Sequence, residues 1–240
     1  MKRLVLLAAL VLFAPGAAGE ARAAGECRGL DVCVRVPGPW VAVPAAAARR
    51  ASVVHYQLTC PRRHIVGGLD ALLSDRALEV KFIGNLGSPV NPGITTGRSV
   101  VFVATYARLR RTSFRPFLGC IPQSGGGGRE TTSYTPFSAA APDAVRPQPP
   151  QRRVRTLRVR PGAGRNLSAR CPGAERLVGA SHAVGFRRKA APSAAIMGGV
   201  RVSRSVRPGR VELSATRGSA VPRGTRVEVQ LHLLCARGTA

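Results

Sequence analysis

The sequence predicts an all-β fold, built as two tandem antiparallel β-sandwich (or small barrel) units that each contain an internal disulfide. Three observations lead to this prediction. Apolar and polar residues alternate with a period of two in several segments, glycine and proline separate these segments at short intervals, and part of the chain is repeated. Helical periodicity is scarce, so we expect strands joined by turns and no substantial helix.

The first 23 residues have the layout of a secretory signal peptide. Lys2 and Arg3 precede the apolar run LVLLAALVLFA, which is followed by small residues ending in Ala21-Arg22-Ala23. This pattern predicts cleavage after Ala23. The run is shorter than the roughly 20 residues that span a bilayer, and no later segment is long and apolar enough to act as an anchor. We therefore expect an exported protein with no transmembrane anchor.

The remaining chain contains an internal repeat. The segment QLTCPRRHIVGGLDA (57–71) is echoed by LSARCPGAERLVGASHA (167–183), and GRSVVFVAT (97–105) is echoed by GRVELSAT (209–216). Self-similarity of this kind indicates a duplication. It divides the chain into a signal peptide (1–23), a first β unit with an N-terminal Cys loop (24–122), a Gly/Pro-rich linker (123–152) and a second β unit (153–240).

Strand periodicity predicts which faces of the repeated segments are buried. In TRVEVQLHLLC, one face carries only apolar residues and a cysteine, and we expect it in the core: Val227, Val229, Leu231, Leu233 and Cys235. The opposite face is polar and is expected in solvent: Arg226, Glu228, Gln230 and His232. Cys60, Cys120 and Cys171 are likewise in phase with apolar neighbours, so all four repeat cysteines are expected on the core side.

Six cysteines on an exported chain predict a disulfide framework, and the absence of any C-x-x-C pair argues against a zinc site. The count alone leaves the connectivity open. Because the opening and closing strands of each unit can meet in its core, we predict Cys60–Cys120 and Cys171–Cys235. This leaves Cys27–Cys33 to close a small N-terminal loop.

The chain is strongly basic, with 37 Lys and Arg against 11 Asp and Glu and a formal net charge of +26. One interpretation is affinity for polyanions such as wall polymers, nucleic acid or acidic glycans. The other is the codon bias of a GC-rich genome, which favours Arg, Ala, Gly, Pro and Val. Two groups could form a basic strip: RRVRTLRVR (152–160), and Arg108, Arg110, Arg111 and Arg115. Aromatic residues for base stacking are few, so we expect no specific nucleic-acid partner.

Two segments suggest catalysis. Ile65-Val66-Gly67-Gly68 after basic residues resembles the activation site of a trypsin-like zymogen, but its echo at 177–180 and the missing His and Ser motifs exclude that class. GASHA (179–183) approximates the G-x-S-x-G nucleophile elbow. It gives the alternative of an extracellular serine hydrolase using Ser181, Glu212 and His232. The elbow needs a strand, a turn and a helix, which the pattern does not predict.

Together, the signal peptide, the CP…VGG-like opening strands and the V-x-V…C-like closing strands resemble a group of uncharacterised secreted tandem-repeat β proteins of high-GC Gram-positive bacteria. The resemblance covers residues 54–120 and 154–237. The units differ in the middle, where ALLSDRALEVKF stands in the first and VGFRRKAAPSAA in the second. The resemblance implies export and a repeated β structure, and it transfers no site residue.

The sequence thus predicts a secreted, non-enzymatic binding or envelope-associated protein. Its ligand is an unknown extracellular molecule, with a cell-wall or other polyanion as the candidate class. We predict no catalytic, cofactor-binding or metal-binding residue. We expect an extracellular location, with retention at the cell envelope through charge as a further hypothesis.

Overall fold

The computed structural model describes residues 25–30, 32–47, 50–83, 97–124, 150–173 and 175–237. The predicted signal peptide and most of the predicted linker lie outside the described residues. Within them, the chain is almost entirely β-structure, which confirms the predicted fold class. The strands are β1 (Val34–Pro37), β2 (Trp40–Val43), β3 (Ser52–Thr59), β4 (His64–Leu73), β5 (Glu79–Ile83), β6 (Ser99–Tyr106), β7 (Thr112–Pro122), β8 (Gln151–Val159), β9 (Arg165–Arg170), β10 (Glu175–Arg187), β11 (Val200–Arg207), β12 (Arg210–Arg217) and β13 (Arg226–Arg237).

Seven of these strands form one antiparallel sheet. Its order is β1-β7-β2-β10-β13-β8, with β4 also paired to β7. Strands β1 and β2 pair with different parts of β7, so they act as one strand interrupted at Gly38. A Cβ at Gly38 would lie 2.6 Å from the Pro116 Cγ, which explains why only glycine fits at this interruption. Two smaller antiparallel sheets have the orders β3-β6-β5 and β11-β12-β9.

The two small sheets cover opposite faces of the large sheet. Successive residues along a strand point to opposite faces. On β2, Val41 and Val43 belong to the core shared with β3 and β6. Trp40 and Ala42 instead pack in the core shared with β9 and β12. The protein therefore has two hydrophobic cores, one on each side of a common sheet.

The two halves of the chain repeat one strand order. Across the large sheet, β4-β7-β2 is followed by β10-β13-β8, and β3-β6-β5 corresponds to β9-β12-β11. The halves do not form separate sandwiches, because β2 of the first pairs with β10 of the second. The tandem duplication and its unit boundaries therefore stay predictions. The predicted boundaries at 122 and 153 fall next to the end of β7 at Pro122 and the start of β8 at Gln151.

The three predicted disulfides are present, and their pairing is confirmed: Cys27–Cys33, Cys60–Cys120 and Cys171–Cys235. The two long-range bridges close 60 and 64 residues of chain. Each connects a small sheet to the large one at the edge of a core. In the chain-entropy description, closing a loop of this length stabilises the fold by about 4 kcal/mol.

The Ile-Val-Gly-Gly segment has a structural explanation. It lies in β4, where a bulge between Val66 and Gly68 shifts the register against β7. The Glu26 carbonyl lies directly above the Gly68–Gly119 pair, and a Cβ at either glycine would be 2.1 Å from that oxygen. The glycines are therefore needed so that the N-terminal Cys27–Cys33 loop can cover the sheet.

One short helix, α1 (Ala194–Gly198), departs from the prediction of strands and turns. The Ser193 side chain caps it by accepting a hydrogen bond from the Ile196 amide, and the buried Met197 anchors it to the second core. The described part of the chain contains no helix with the length and apolar character needed to cross a membrane.

Candidate anion-binding face and buried polar seam

The outer surface of the β11-β12-β9 sheet is polar because the outward positions of its three strands carry polar or charged residues. On β12, Val211, Leu213 and Ala215 are buried in the second core, so the residues between them point outward. The outward residues of the three strands form a surface that we call the arginine face: Asn166, Ser168 and Arg170 on β9, Arg210, Glu212, Ser214 and Thr216 on β12, and Arg201, Ser203, Ser205 and Arg207 on β11.

Three arginines of this face lie in one row across the sheet. Arg207 on β11 is in register with Arg210 on β12, which is in register with Arg170 on β9. Adjacent strands are about 4.8 Å apart, so the three side chains leave the sheet close together. Glu212 is the nearest carboxylate, with its oxygens 3.6 Å from Arg210 Nη1 and 4.0 Å from Arg207 Nε. One carboxylate therefore lies beside a row of three guanidinium groups and is within 4.0 Å of two of them.

A groove of about 550 Å³ runs beside this row. It lies where the edge strands β8 and β9 of the two sheets diverge. Arg155 of β8 lines one side, and Ser168, Arg170 and Arg210 line the other. The groove thus adds a fourth guanidinium group to the same surface.

The electrostatics of the row favour an anionic ligand. Like charges directly opposite each other on neighbouring strands destabilise a sheet. Arg207 and Arg210 keep more than half of their side-chain surface in solvent, at 69% and 57% exposed, so their guanidinium groups are accessible. An anion placed across the row would relieve the repulsion and accept charge-assisted hydrogen bonds. Among the described residues of the face, none is aromatic, so it offers no platform for base stacking.

The sequence prediction for the polar face of β13 is wrong. It places Glu228, Gln230 and His232 in solvent, but all three side chains are buried. Strand β3 of the first half lies over β13 of the second half and covers these side chains. We call this contact between β3 and β13 the polar seam.

Gln230 pairs with the free edge of β3. Its Oε1 accepts a hydrogen bond of 2.9 Å from the Gln57 amide, and its Nε2 donates one of 2.8 Å to the Gln57 carbonyl. One side-chain amide therefore satisfies both main-chain groups of an edge residue, which would otherwise be free to pair with another chain.

Glu228 is the charged group of the seam. Its Oε1 accepts a hydrogen bond from the Tyr56 hydroxyl, and its Oε2 accepts one of 3.0 Å from Arg187 Nε. Burial raises the pKa of Tyr56, and the neighbouring Glu228 carboxylate raises it further. The phenol consequently stays protonated and acts only as a donor to the carboxylate.

Two histidines complete the seam as neutral groups. Burial lowers the pKa of His232 to about 3, with further contributions from the positive charge of Arg152 and from His55. Burial and Arg152 also lower the pKa of His55. His232 Nε2 lies 3.2 Å from Gln230 Oε1, which is an acceptor, so the proton is on Nε2. The buried Nδ1 then carries a lone pair and has no hydrogen-bond partner.

Of the three residues of the alternative hydrolase, Ser181 and His232 are cross-strand neighbours, whereas Glu212 is remote from both. Ser181 lies within β10, opposite His232 on β13, and not at a turn between a strand and a helix. Glu212 lies on the arginine face, outside the second core, whereas His232 lies on the other side of the large sheet. The second core separates the acid from the histidine, so Ser181, Glu212 and His232 form no triad.

Sequence reasoning missed the arginine row because it grouped arginines by their proximity along the chain. Of the groups it singled out, only Arg155 lines the groove. Arg110 instead pairs with Asp75 at 2.7 Å, and Arg115 donates to the Gly38 carbonyl and lies over the Phe117 ring. The alternation of polar and apolar residues in β9 and β12 could have indicated which arginines point outward. It could not have shown that Arg170 and Arg210 are paired, because the register between two strands does not follow from the pattern of either one.

The sequence matches no protein-family model, and neither a curated protein nor a solved structure shows significant similarity to the chain. The resemblance to secreted repeat proteins therefore stays a prediction.

Proposed function

We propose that this protein is an extracellular, non-enzymatic binding protein that holds an anionic polymer on its arginine face. The observation that carries the proposal is the row of Arg207, Arg210 and Arg170, three like charges in register with a single carboxylate beside them. A polymer suits this surface better than a small anion, because the groove with Arg155 extends the positive surface beyond the row. The three disulfides agree with an oxidising location.

The overall charge of +26 supports association with any polyanion at low salt. Specific binding at the arginine face can be distinguished from this general attraction, because removing the arginines of the face should change how steeply the binding constant falls with salt. Each phosphate contact adds about 0.7 to the slope of log K against log salt for a single-stranded polyanion. Loss of three contacts should therefore reduce the slope by about 2.

The test uses long-chain linear polyphosphate as the probe and neutral dextran as the uncharged reference. Binding is measured by fluorescence anisotropy from low to physiological salt. The variant that removes the row carries Arg170→Ser, Arg207→Ser and Arg210→Ser. We expect this variant to bind polyphosphate more weakly and with the smaller slope, because it lacks three positively charged contacts. It should still fold, because the substitutions leave the buried face of the sheet intact.

A matched variant removes three exposed arginines of the first half and gives the same net charge: Arg62→Ser, Arg76→Ser and Arg108→Ser. It should bind almost as the unmodified protein does. If both triple variants lose affinity equally, net charge accounts for all binding and the arginine face has no special role. Equal binding of dextran would contradict the anionic ligand class.

A further inference from the structure

A cavity opens between the two halves where β2 and β10 separate. The two strands are paired only at Trp40–Phe186 and Val41–Gly185. Beyond this point the strands diverge, and a cavity of about 200 Å³ lies between Val43 and Val184. Its position at the junction makes it independent of the arginine face.

Nine of the eleven described residues that line the cavity are apolar, while polar atoms contribute about half of its accessible surface. Strand β3 contributes Val54, α1 contributes Met197, and β11 contributes Val200 and Val202. Residues from both cores therefore line one space, which is reached through the gap in the large sheet. The space opens to solvent and is not sealed inside either core.

Among the lining residues that the structure describes, Arg111 and His182 carry the polar side chains, and neither is acidic. His182 Nδ1 is buried and has no hydrogen-bond partner. Burial lowers the pKa of His182, and the charge of Arg204 lowers it further, so the ring is neutral near pH 7. A neutral imidazole can carry its proton on Nδ1 and donate it to an acceptor.

Arg111 lies beside the end of α1 at the cavity. Its guanidinium group passes over Gly198, with Nη1 2.4 Å from the position that a Cβ at this residue would occupy. No hydrogen bond or ion pair occupies Arg111 within the part of the chain that the structure describes. The cavity thus presents a guanidinium donor beside mostly apolar residues.

We propose that this cavity binds a small monocarboxylate with an apolar body, whose carboxylate contacts Arg111 and His182 and whose hydrocarbon part fills the space between Val43, Val54 and Val202. A guanidinium group offers paired donors that match the two oxygens of a carboxylate. At interior packing density, 200 Å³ holds a ligand of about 8 non-hydrogen atoms, the size of isovalerate or benzoate. A polymeric anion is too large for a space of this volume.

The test titrates the protein with benzoate, with isovalerate and with the neutral amides of both, followed by the chemical shifts of backbone amides. We expect saturable binding of the acids, shifts centred on Val43 and His182, and at least about tenfold weaker binding of the amides. Binding of acetate as tight as that of benzoate would overturn the role of the apolar walls. Equal affinity for acid and amide would overturn the role of charge.

Three variants test which residues contact the bound acid. Arg111→Gln should weaken benzoate binding at least about tenfold, whereas Arg108→Gln, which removes an equally exposed arginine of the same loop, should not. Val202→Phe should fill the cavity and abolish binding of both acids. Unchanged affinity of Arg111→Gln, or undiminished binding to Val202→Phe with a native spectrum, would overturn the site. Absence of saturable binding of any acid to the unmodified protein would overturn it as well.

Discussion

The substitution Gly68→Ala tests whether the Gly-Gly segment is needed to seat the N-terminal loop. The added methyl carbon would lie 2.1 Å from the Glu26 carbonyl oxygen, whereas a Cβ rarely approaches another heavy atom within 3.0 Å. The obstacle is a main-chain atom, so no rotamer change relieves the contact. The Cys27–Cys33 loop must therefore move by about 0.9 Å or leave the sheet.

Two opposing contributions determine how much Gly68→Ala should change the free energy of unfolding. Overpacking of this kind costs about 1–3 kcal/mol, and the higher strand preference of alanine over glycine returns about 0.5–1 kcal/mol. Release of the loop limits the cost, because it forfeits chiefly the 2.6 Å hydrogen bond from the Gly25 amide to Asp70, worth about 1.5–3 kcal/mol. We expect a net loss of about 1–2 kcal/mol, which lowers Tm by about 3–6 °C in a chain of this size.

The assay combines thermal unfolding with limited trypsin digestion. Arg28 is exposed in the loop, and cleavage after it adds the mass of one water while the disulfide keeps the fragments joined. Gly68→Ala should be cut at Arg28 faster than the unmodified protein. Gly179→Ala on β10 is the control, because its Cβ would meet only the tip of the Leu234 side chain, at 3.3 Å. An unchanged Tm together with unchanged protection of Arg28 would refute the close-approach argument.

Three further outcomes are expected. Gln230→Ala leaves two main-chain groups of β3 without their partner, so the free energy of unfolding in urea should fall by about 1–3 kcal/mol; a loss below 0.5 kcal/mol would mean that water replaces the amide. Hydrogen bonds from the Tyr106 hydroxyl, the Ala77 amide and Arg110 together lower the pKa of Asp75 from 3.8 to about 2. The resulting stabilisation is present above pH 3.8 and is lost as the pH falls through 2, so Asp75→Asn should flatten acid unfolding in this range, and an unchanged profile would contradict it. Replacing Cys171 and Cys235 together by Ala should lower the free energy of unfolding by about 4 kcal/mol, and a loss below 1 kcal/mol would show that the bridge contributes little.

The sequence predicted the fold best where one local rule decides the outcome. On β13, alternation alone placed Val227, Val229 and Leu231 on the core face, and all three are buried. The same alternation placed Cys235 on that face, which made its pairing with Cys171 predictable. In these cases the side-chain direction follows from the backbone period, so no knowledge of distant segments is needed.

The prediction was wrong for the opposite face of β13 because burial there depends on another part of the chain. Glu228, Gln230 and His232 look like the solvent side of an ordinary strand. They are buried because β3, more than 170 positions earlier, crosses over them and supplies Tyr56 and the Gln57 main chain as partners. Polar residues can be buried when such partners satisfy them, and a pattern along one strand does not reveal those partners.

The repeated strand order explains where the two halves differ. Cys120 and Cys235 hold equivalent places on β7 and β13, and each faces its own core. The preceding residue points to the other side of the sheet, and there the halves meet different coverings. Gly119 lies beneath the Glu26 carbonyl of the N-terminal loop, whereas Leu234 keeps its side chain beside the polar seam.

This difference follows from the arrangement of the small sheets on opposite faces of the large one. A segment that covers the side of β7 facing away from its core does not reach β13. The Cys27–Cys33 loop therefore covers this side in the first half, and β3 covers the corresponding side of β13 in the second half. The two cores then constrain the inward residues of both halves in the same way. The outside of the second small sheet, which carries the arginine row, lies apart from the Cys27–Cys33 loop and from β3, whereas the gap between β2 and β10, which carries Arg111 and His182, is lined in part by Val54 of β3.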